Sequence, residues 1–465
     1  MIKTQKIKRF FPAINSGRTV SNNAASTQVP IQLLSLLKEL IAQYDNVHRG
    51  QSDASKSTTE KFEAAYDTIA QFINAPSRKN IILHRNTTEA INSVMYSLMT
   101  EFKDGDNIVT TLMEHNSNYV PWYGLCKEIL PKFGINVEYR LAKFDKETGE
   151  LDLAHLKSLV DEKTKLICCT GASNFLGVKT PIEKIKEIAC SSGYPQPNGE
   201  KKSYLLIDGA QTAPNMFINV RKLDIDFFVW SFHKMLAPFG VGALYAREEL
   251  LEKMRPFLYG GDMIEEGKVS SEKVEYNALP WKFTAGTPNI LGTILSAEAV
   301  RLLMDFALNP GQHKYFMTDR KLEVPDVEKA MKNIENHEKV LIEEALKILG
   351  GIPRLKIYGP KNPENRTSLI AFTHKGKSPF EIAENLNKLG IESRAGCHCA
   401  TLAHRYYEID PPASCRLSFY IYNDLGDVRK ACWAVKKCVQ SNNNFPAERP
   451  AILRKLITRL FVKKP

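Results

Sequence analysis

Between about residues 60 and 300, segments with helical periodicity alternate with short apolar runs, and this alternation constrains the fold more than any other feature of the chain. Helices are predicted over 60–73, 88–102 and 181–192. The apolar runs predict strands over 81–83, 107–109, 165–169, 204–207 and 227–230. Strands that alternate with helices typically form a parallel sheet covered on both faces, so an α/β domain with a mostly parallel sheet is expected.

Polar side chains follow four of these runs, where each strand is predicted to end. They are His115, Asn174, Asp208 and Ser231. In a parallel sheet the carboxyl ends of the strands share one edge, and α/β proteins bind ligands in the crevice beyond that edge. These four side chains are therefore expected to line one crevice.

Thr87 and Thr88 open the helix that follows the run 81–83. The free backbone amides and the hydroxyls at such a helix start can bind an anion. The two threonines could equally serve as N-caps, and the two roles are compatible. This position is a candidate site for a phosphate group.

The segment 231–234 places Lys234 just after one apolar run, while Asp208 ends another run and is followed by Gln211. A lysine can form a Schiff base with pyridoxal 5′-phosphate, and an aspartate can pair with the ring nitrogen and keep it protonated. Ser231 and His233 flank the lysine and can donate hydrogen bonds to the cofactor phosphate. A surface lysine and a strand-end cap are the plain alternative, but the joint occurrence of these residues favours a cofactor site.

Length and composition exclude several classes of protein. The chain has 465 residues, which is enough for two domains, and no apolar run approaches the roughly 20 residues that a membrane span requires. None of the nine cysteines has repeated CxxC spacing, so no metal site is expected, and reduced thiols in the cytoplasm are expected instead of disulfides. The net charge of +11 comes without a nucleic-acid motif, which favours a solvated basic surface and no nucleic-acid partner.

The amino-terminal segment carries no Asp or Glu before Glu39, which raises the alternative of a transit peptide. Residues 10–12 and 22–27 are interpreted as part of the fold, so this alternative is disfavoured.

The pattern changes beyond about residue 335. Helices are predicted over 335–349, 379–389 and 425–439, strands over 354–358, 367–373 and 415–421, and a loop over 392–403. This pattern indicates a smaller α+β domain. The predicted division is a large domain over 20–304, a small domain formed by 1–19 and 331–440, and an inserted surface loop over 305–330.

The remaining segment, 441–465, is predicted to contain a linker and a basic amphipathic helix over 450–464. Docking of this helix onto the protein itself or onto a second subunit is the favoured interpretation. Contact with a membrane surface or with another partner is the alternative.

The segment 394–400 reads RAGCHCA and is a second candidate for chemistry. Arg394 can hold a substrate carboxylate in a bidentate contact. A cysteine beside a histidine and near cations can act as a nucleophile, and this loop has two, Cys397 and Cys399. The alternative is a pair of inert packed thiols.

Further motifs occur in order from about residue 10 to 440. They are NVHRG at 46–50, TTE at 87–89, MEHNSNYVPW at 113–122, DGAQ at 208–211 and AGTPN at 285–289. With these motifs and the segment 394–400, the chain resembles the class V aminotransferase-fold enzymes, and within them the group II cysteine desulfurases and selenocysteine lyases. The resemblance implies a pyridoxal-phosphate-dependent transferase of fold type I, with a seven-stranded sheet in the large domain and a smaller C-terminal α+β domain.

The resemblance also implies roles for individual residues around the cofactor. His115 would stack on the cofactor ring, and Asn174 and Gln211 would contact the ring hydroxyl. The phosphate would be held by Thr87, Thr88, Ser231 and His233. Thr287 would reach the cofactor phosphate of a neighbouring subunit, which implies a homodimer with shared active sites.

For the substrate, the resemblance places Arg394 and Arg416 at its carboxylate and at the mouth of the site, with Asn174 as a further substrate-binding residue. It implies that Cys399 is the nucleophile that accepts sulfur and that Lys234 and His115 are the other catalytic residues. The implied reaction converts L-cysteine to L-alanine, leaves a persulfide on Cys399 and delivers the sulfur to an acceptor protein. The alternatives are a selenocysteine lyase, another C–S lyase or class V enzyme, and a non-catalytic scaffold. Cys397 replaces a histidine of the family motif and is a possible second thiol, and Phe232 replaces a glycine.

Overall fold

A computed structural model of the protein describes residues 2–309 and 321–440. The predicted linker and helix within 441–465, and part of the predicted insertion, lie outside these residues. Within the described ranges, no helix has both the length and the apolar character needed to cross a membrane.

A seven-stranded sheet forms the centre of the large domain. In spatial order its strands are Ile81–His84, Gly242–Ala246, Phe227–Ser231, Tyr204–Asp208, Thr164–Thr170, Asn107–Thr111 and Glu138–Ala142. Only Gly242–Ala246 runs against the other six. The prediction of a mostly parallel seven-stranded sheet is confirmed.

The inner strands are buried along their whole length, which explains why they appear in the sequence as continuous apolar runs. Alternate side chains of Phe227–Ser231 enter two different apolar clusters, with Phe228 and Trp230 on one face and Phe227 and Val229 on the other.

Helices cover both faces of the sheet. The large domain contains the helices Ile31–Gln43, Asp53–Phe72, Thr87–Leu98, Val120–Gly124, Leu153–Ser158, Ile182–Cys190, Val220–Leu223, Glu248–Lys253 and Ile290–Leu308.

The insertion predicted over 305–330 is helical at both ends. The helix Ile290–Leu308 continues into it, and the helix predicted from 335 already begins at Val324, as Val324–Gly350. Phe306 and Val327 are both buried in the same apolar cluster, so tertiary packing extends the two helices. Pro325 does not interrupt the second helix because it lies in the first turn, where its missing N–H is not needed.

The small domain is built on a four-stranded antiparallel sheet in the order Leu355–Tyr358, Leu369–His374, Ser414–Ser418 and Arg394–Gly396. The helices Val324–Gly350, Pro379–Lys388 and Leu425–Gln440 pack together with this sheet around one apolar cluster. The amino-terminal segment contacts this part of the structure, since Thr19–Val20 pairs with Ile391–Glu392. In addition, Lys8 forms ion pairs with Asp424 and Asp427 at 2.5 and 2.8 Å.

The prediction of a loop over 392–403 is wrong in its extent. Arg394–Gly396 is a strand that pairs with Ser414–Ser418, and the helix Thr401–Tyr406 begins at 401. Only the four residues between them form a turn. The strand is three residues long and depends on a partner about 20 residues further along the chain, so local sequence patterns do not reveal it.

Candidate active site

A cavity of about 260 Å³ lies beyond the carboxyl ends of the parallel strands and contains most of the predicted site residues. The predicted residues that line it are Thr87, Thr88, His115, Asn174, Asp208, Gln211, Ser231, His233, Lys234, Arg394 and Arg416. Three others, Thr287, Cys397 and Cys399, do not line it. The structure therefore brings together residues from seven separate segments of both domains at one edge of the central sheet.

Lys234 and Asp208 are the titratable pair at the base of the cavity. The pKa of Lys234 is lowered to about 8, chiefly by burial and also by the charges of Arg416 and Arg394, against the opposing charge of Asp208. Burial raises the pKa of Asp208, against a hydrogen bond from the Ala210 amide at 2.9 Å and the charge of Lys234. A lysine with a pKa near 8 carries a substantial fraction of free amine at neutral pH, which is the form that reacts with an aldehyde.

The start of the helix Thr87–Leu98 forms a cradle for an anion. The cap is Asn86, whose side chain accepts from the Glu89 amide at 3.0 Å, so neither threonine is used as a cap. The Thr87 amide and hydroxyl contact the Ser231 hydroxyl at 2.8 and 2.6 Å. The hydroxyl of Thr88 lies 2.6 Å from that of Ser117. Hydroxyls at the positive end of a helix dipole are well suited to a phosphate group.

His115 and His233 are both neutral at physiological pH. Burial lowers the pKa of His115 to about 3, and Lys234, Arg394 and Arg416 contribute in the same direction. Burial and Lys234 lower the pKa of His233 to about 4. The Ser117 amide donates to Nδ1 of His115 at 3.1 Å, which places the ring proton on Nε2. An uncharged imidazole in this position can stack on an aromatic ring.

Glu114 is a residue of the site that the sequence interpretation missed. It is buried and accepts hydrogen bonds from the Thr111 hydroxyl at 2.6 Å, the Thr170 amide at 3.0 Å and the Asn118 side chain at 2.7 Å. Burial raises its pKa to about 8, and the charge of Asp208 adds to the rise. The carboxyl group thus joins the loop that carries His115 to the neighbouring strand. Its position before His115 in the motif was the only signal in the sequence.

The two arginines of the cavity have no acidic partner among the residues that the structure describes. Arg416 is 1% exposed and donates to the Asn174 carbonyl at 2.7 Å, but its Nε has no hydrogen-bond partner. Arg394 lies directly opposite it in the sheet register. The pKa of Arg416 is lowered to about 9, chiefly by burial and also by the charge of Arg394. Two neighbouring guanidinium groups with unused donors are suited to binding a carboxylate.

Cys399 lies in a tight turn at the edge of the cavity. The Ala400 amide donates to the Cys397 carbonyl at 2.8 Å, and His398 and Cys399 have φ angles of 53° and 57°, as in a type I′ turn. Nη2 of Arg394 donates to Sγ of Cys399 at 3.7 Å. The thiol also lies within electrostatic range of Lys234, so its neighbours are mostly cations, as is typical of reactive cysteines.

Thr287 is the predicted site residue that the structure leaves apart from the others. It is exposed, in the segment 284–289 outside the cavity. The Gly286 amide donates to the Gly261 carbonyl at 2.7 Å, which holds this segment beside Leu258 and Tyr259, both more than half exposed.

Comparisons with known proteins identify the family of the chain. The sequence model of the family described as Aminotransferase class-V matches residues 20–324 and 322–430. A cysteine desulfurase of Haloferax volcanii is 34% identical over 417 residues, which cover 89% of this chain and 88% of the relative. A cysteine desulfurase of Cronobacter sakazakii is 34% identical over 431 residues, which cover 91% and 95%.

Solved structures of similar proteins extend the comparison to the fold. A cysteine desulfurase from Thermococcus onnurineus NA1 superposes with a TM-score of 0.81 at 29% identity, covering 95% of this chain and 98% of that one. The cysteine desulfurase CsdA from Escherichia coli superposes with a TM-score of 0.78 at 27% identity, covering 95% and 99%.

Proposed function

This chain belongs to the class V aminotransferase family, and from that premise we propose that it is a cysteine desulfurase dependent on pyridoxal 5′-phosphate. One observation carries the proposal: Cys399 contacts Arg394 at the edge of the cavity that contains Lys234 and Asp208. A thiol next to a carboxylate-binding arginine is positioned to meet the sulfur of a bound cysteine.

The cavity fits the cofactor by the chemistry of its donors and acceptors. Asp208 would pair with the ring nitrogen, His115 would cover the ring, and Asn174 and Gln211 would contact the ring hydroxyl. Thr87, Thr88, Ser231 and His233 would hold the phosphate. When bound, pyridoxal 5′-phosphate withdraws electrons from the substrate, which makes its Cα proton acidic and its C–S bond easier to break.

Residues of the chain itself would bind the substrate, transfer the proton and accept the sulfur. Arg394 and Arg416 bind the carboxylate of L-cysteine, and the amine of Lys234 accepts the proton from Cα. The thiolate of Cys399 then attacks the substrate sulfur. An S–S bond forms as the C–S bond breaks, the electron pair stays with the carbon fragment, and protonation of that fragment gives L-alanine. The sulfur remains on Cys399 as a persulfide, from which an acceptor protein can take it.

We also propose that the protein is a homodimer with shared active sites. Thr287 lies outside the cavity of its own chain and next to the exposed apolar side chains Leu258 and Tyr259. A second cavity, of about 440 Å³, is lined in part by Leu258 and by the neighbours of Thr287 in sequence, Ala285 and Pro288. Such a surface is suited to binding a second copy of the chain. Thr287 would then reach into the cofactor site of that second copy.

A cytoplasmic location belongs to the same proposal. All nine cysteines are free thiols, which is typical of proteins in a reducing compartment.

The decisive experiment measures alanine and persulfide formation from L-cysteine by the purified protein loaded with the cofactor. Cys399→Ala is expected to lower alanine formation by at least about 100-fold, because the attacking nucleophile is lost. Cys190→Ala is the matched control, since Cys190 is an exposed cysteine at the end of the helix Ile182–Cys190 and should have no effect. Absence of alanine with the unaltered protein would overturn the proposal. A Cys399→Ala variant that retains activity on selenocysteine alone would indicate a selenocysteine lyase.

A further inference from the structure

The thiol turn at 397–400 holds two cysteines that differ from the other seven. Burial raises the pKa of six of these thiols, which are enclosed in the protein: Cys126, Cys168, Cys169, Cys415, Cys432 and Cys438. Cys190 is exposed and belongs to a helix of the large domain. Cys397 and Cys399 are half-buried, and they directly follow the strand that begins with Arg394, a residue that lines the cavity. They are therefore the two thiols placed for sulfur chemistry.

The backbone of the turn brings these two residues close together. His398, between them, has a left-handed φ of 53°, and the hydrogen bond from Ala400 to Cys397 closes the turn. A residue in a helical conformation of either hand separates the Cα atoms on its two sides by about 5.4 Å. Disulfides form at Cα separations of roughly 4.4–6.8 Å. The turn thus meets the backbone condition for a bond between the two sulfur atoms.

The surrounding structure fixes this turn from three sides. The Asn116 amide donates to the carbonyl of Cys399 at 2.6 Å, and the Asn174 side chain donates to the carbonyl of His398 at 2.6 Å. The His398 ring bonds to the hydroxyl of Ser414 at 3.0 Å. Two successive non-glycine residues with left-handed φ are costly unless the surroundings impose them. The backbone on both sides of His398 is therefore held in one conformation, which keeps Cys397 and Cys399 close to each other and favours a reaction between them.

The electrostatics distinguish the roles of the two thiols. Cys399 contacts the guanidinium group of Arg394 and interacts with the charges of Lys234 and Arg416, and all three of these residues line the cavity in which the substrate would lie. Cys397 is two residues earlier, where the strand Arg394–Gly396 ends. Cys399 is therefore the thiol suited to accept sulfur, and Cys397 is the thiol available to react with the product.

We propose that Cys397 resolves the persulfide on Cys399, a step that rests on the proposed function. The thiolate of Cys397 attacks the inner sulfur, the one bonded to Cβ of Cys399. The Cys397–Cys399 bond forms, the S–S bond of the persulfide breaks, and the outer sulfur leaves with the electron pair as hydrosulfide. A dithiol reductant then supplies two electrons and two protons, is itself oxidised to a disulfide, and restores both thiols. Without an acceptor protein, sulfur thus leaves the enzyme as hydrosulfide.

A single-turnover experiment tests this step. The full-length protein is loaded with cofactor, freed of reductant and given one equivalent of L-cysteine, and hydrosulfide and alanine are measured together with the intact mass after alkylation. The expected ratio of hydrosulfide to alanine is close to unity, and two thiols per chain become resistant to alkylation. Cys397→Ser is expected to lower that ratio at least about tenfold and to retain one extra sulfur atom on Cys399. Cys190→Ser is the matched control and should behave like the unaltered protein.

A second measurement separates failure of this inference from failure of the proposed function. Cofactor-free protein is treated with inorganic polysulfide, which places sulfur on a thiol without any turnover of cysteine. Formation of the 397–399 disulfide in the unaltered protein, and retention of the added sulfur in Cys397→Ser, would support the inference even if no alanine is formed from cysteine. If the unaltered protein retains the added sulfur as Cys397→Ser does, and all its other thiols still react with the alkylating reagent, the inference is overturned.

Discussion

The guanidinium group of Arg394 donates to the sulfur of Cys399 at 3.7 Å, although the two residues belong to different elements of the small domain. Arg394 begins a strand, and Cys399 lies in the turn that follows it. The turn reverses the direction of the chain, so the thiol of Cys399 lies next to the side chain of Arg394 at the start of the strand. One short segment thus supplies a group for the substrate carboxylate and a group for its sulfur.

Replacement of Arg394 by lysine tests the first of these two roles. Lysine retains the positive charge but loses the planar fork, so KM for L-cysteine is expected to rise about tenfold, equivalent to about 1.4 kcal/mol. Steady-state alanine formation provides the measurement. Arg429→Lys, at a surface ion pair with Glu344, is the control and should leave KM unchanged. An unchanged KM for Arg394→Lys would argue against carboxylate binding at this position.

The lowered pKa of Lys234 makes the capture of cofactor dependent on pH. The free amine is the reactive form, and it predominates above a pKa of about 8, compared with the ordinary value of 10.5. The rate at which cofactor-free protein reacts with pyridoxal 5′-phosphate should therefore rise with pH and level off above about pH 8. Stopped-flow absorbance measures this rate. A midpoint close to 10.5 would show that burial does not lower the pKa of Lys234.

Glu114 provides a test of stability. Glu114→Ala removes the acceptor of three buried donors, and the free energy of unfolding should fall by about 3 kcal/mol, as measured by denaturant unfolding of the cofactor-free protein. Glu114→Gln keeps the volume and one of the two acceptor oxygens, so its loss should be smaller. Equal losses in the two variants would indicate that the hydrogen bonds contribute little.

The same carboxyl group predicts a dependence of stability on pH. The pKa of Glu114 rises from 4.5 to about 8 on folding, so the folded state binds the proton more tightly than the unfolded state does. The contribution of this group is therefore lost as pH rises from 4.5 to 8. Relative to the unaltered protein, Glu114→Gln should become progressively more stable over this range, because glutamine does not titrate. A constant difference between the two unfolding free energies would contradict the raised pKa.

Mixed dimers test whether active sites are shared. A Lys234→Ala chain contributes an intact Thr287, and a Thr287→Ala chain contributes an intact Lys234. If Thr287 acts across the interface, a mixture of the two chains should recover one normal cofactor site per hybrid dimer. Cofactor titration of a co-expressed, affinity-separated hybrid makes the measurement, with each parental dimer as control. If Thr287 acts within its own chain, the hybrid will bind cofactor no more tightly than the Thr287→Ala parent.

Much of the large domain could be predicted because its signals are local. Each inner strand is an apolar run that ends in a polar residue, and parallel strands place their carboxyl ends at one edge. Asp208 and Ser231 could thus be assigned to one site before any contact was known. Lys234 follows the strand that ends at Ser231 and was assigned to the site for the same reason.

Other features depend on contacts between distant segments. Glu114 looks like an exposed acidic residue until the amide of Thr170, 56 residues later, is seen to bond to it. The unpaired Nε of Arg416 and the left-handed turn at 397–400 likewise cannot be predicted from the residue types alone.

The sequence by itself therefore determined the sheet and predicted the cofactor site and the thiol loop, because periodicity and residue type express local preferences. Only the tertiary structure decided which titratable groups are buried and how Cys397 and Cys399 are placed. Protonation depends on burial and on nearby charges, and the placement of the two cysteines depends on a backbone conformation that Asn116, Asn174 and Ser414 impose from other parts of the chain.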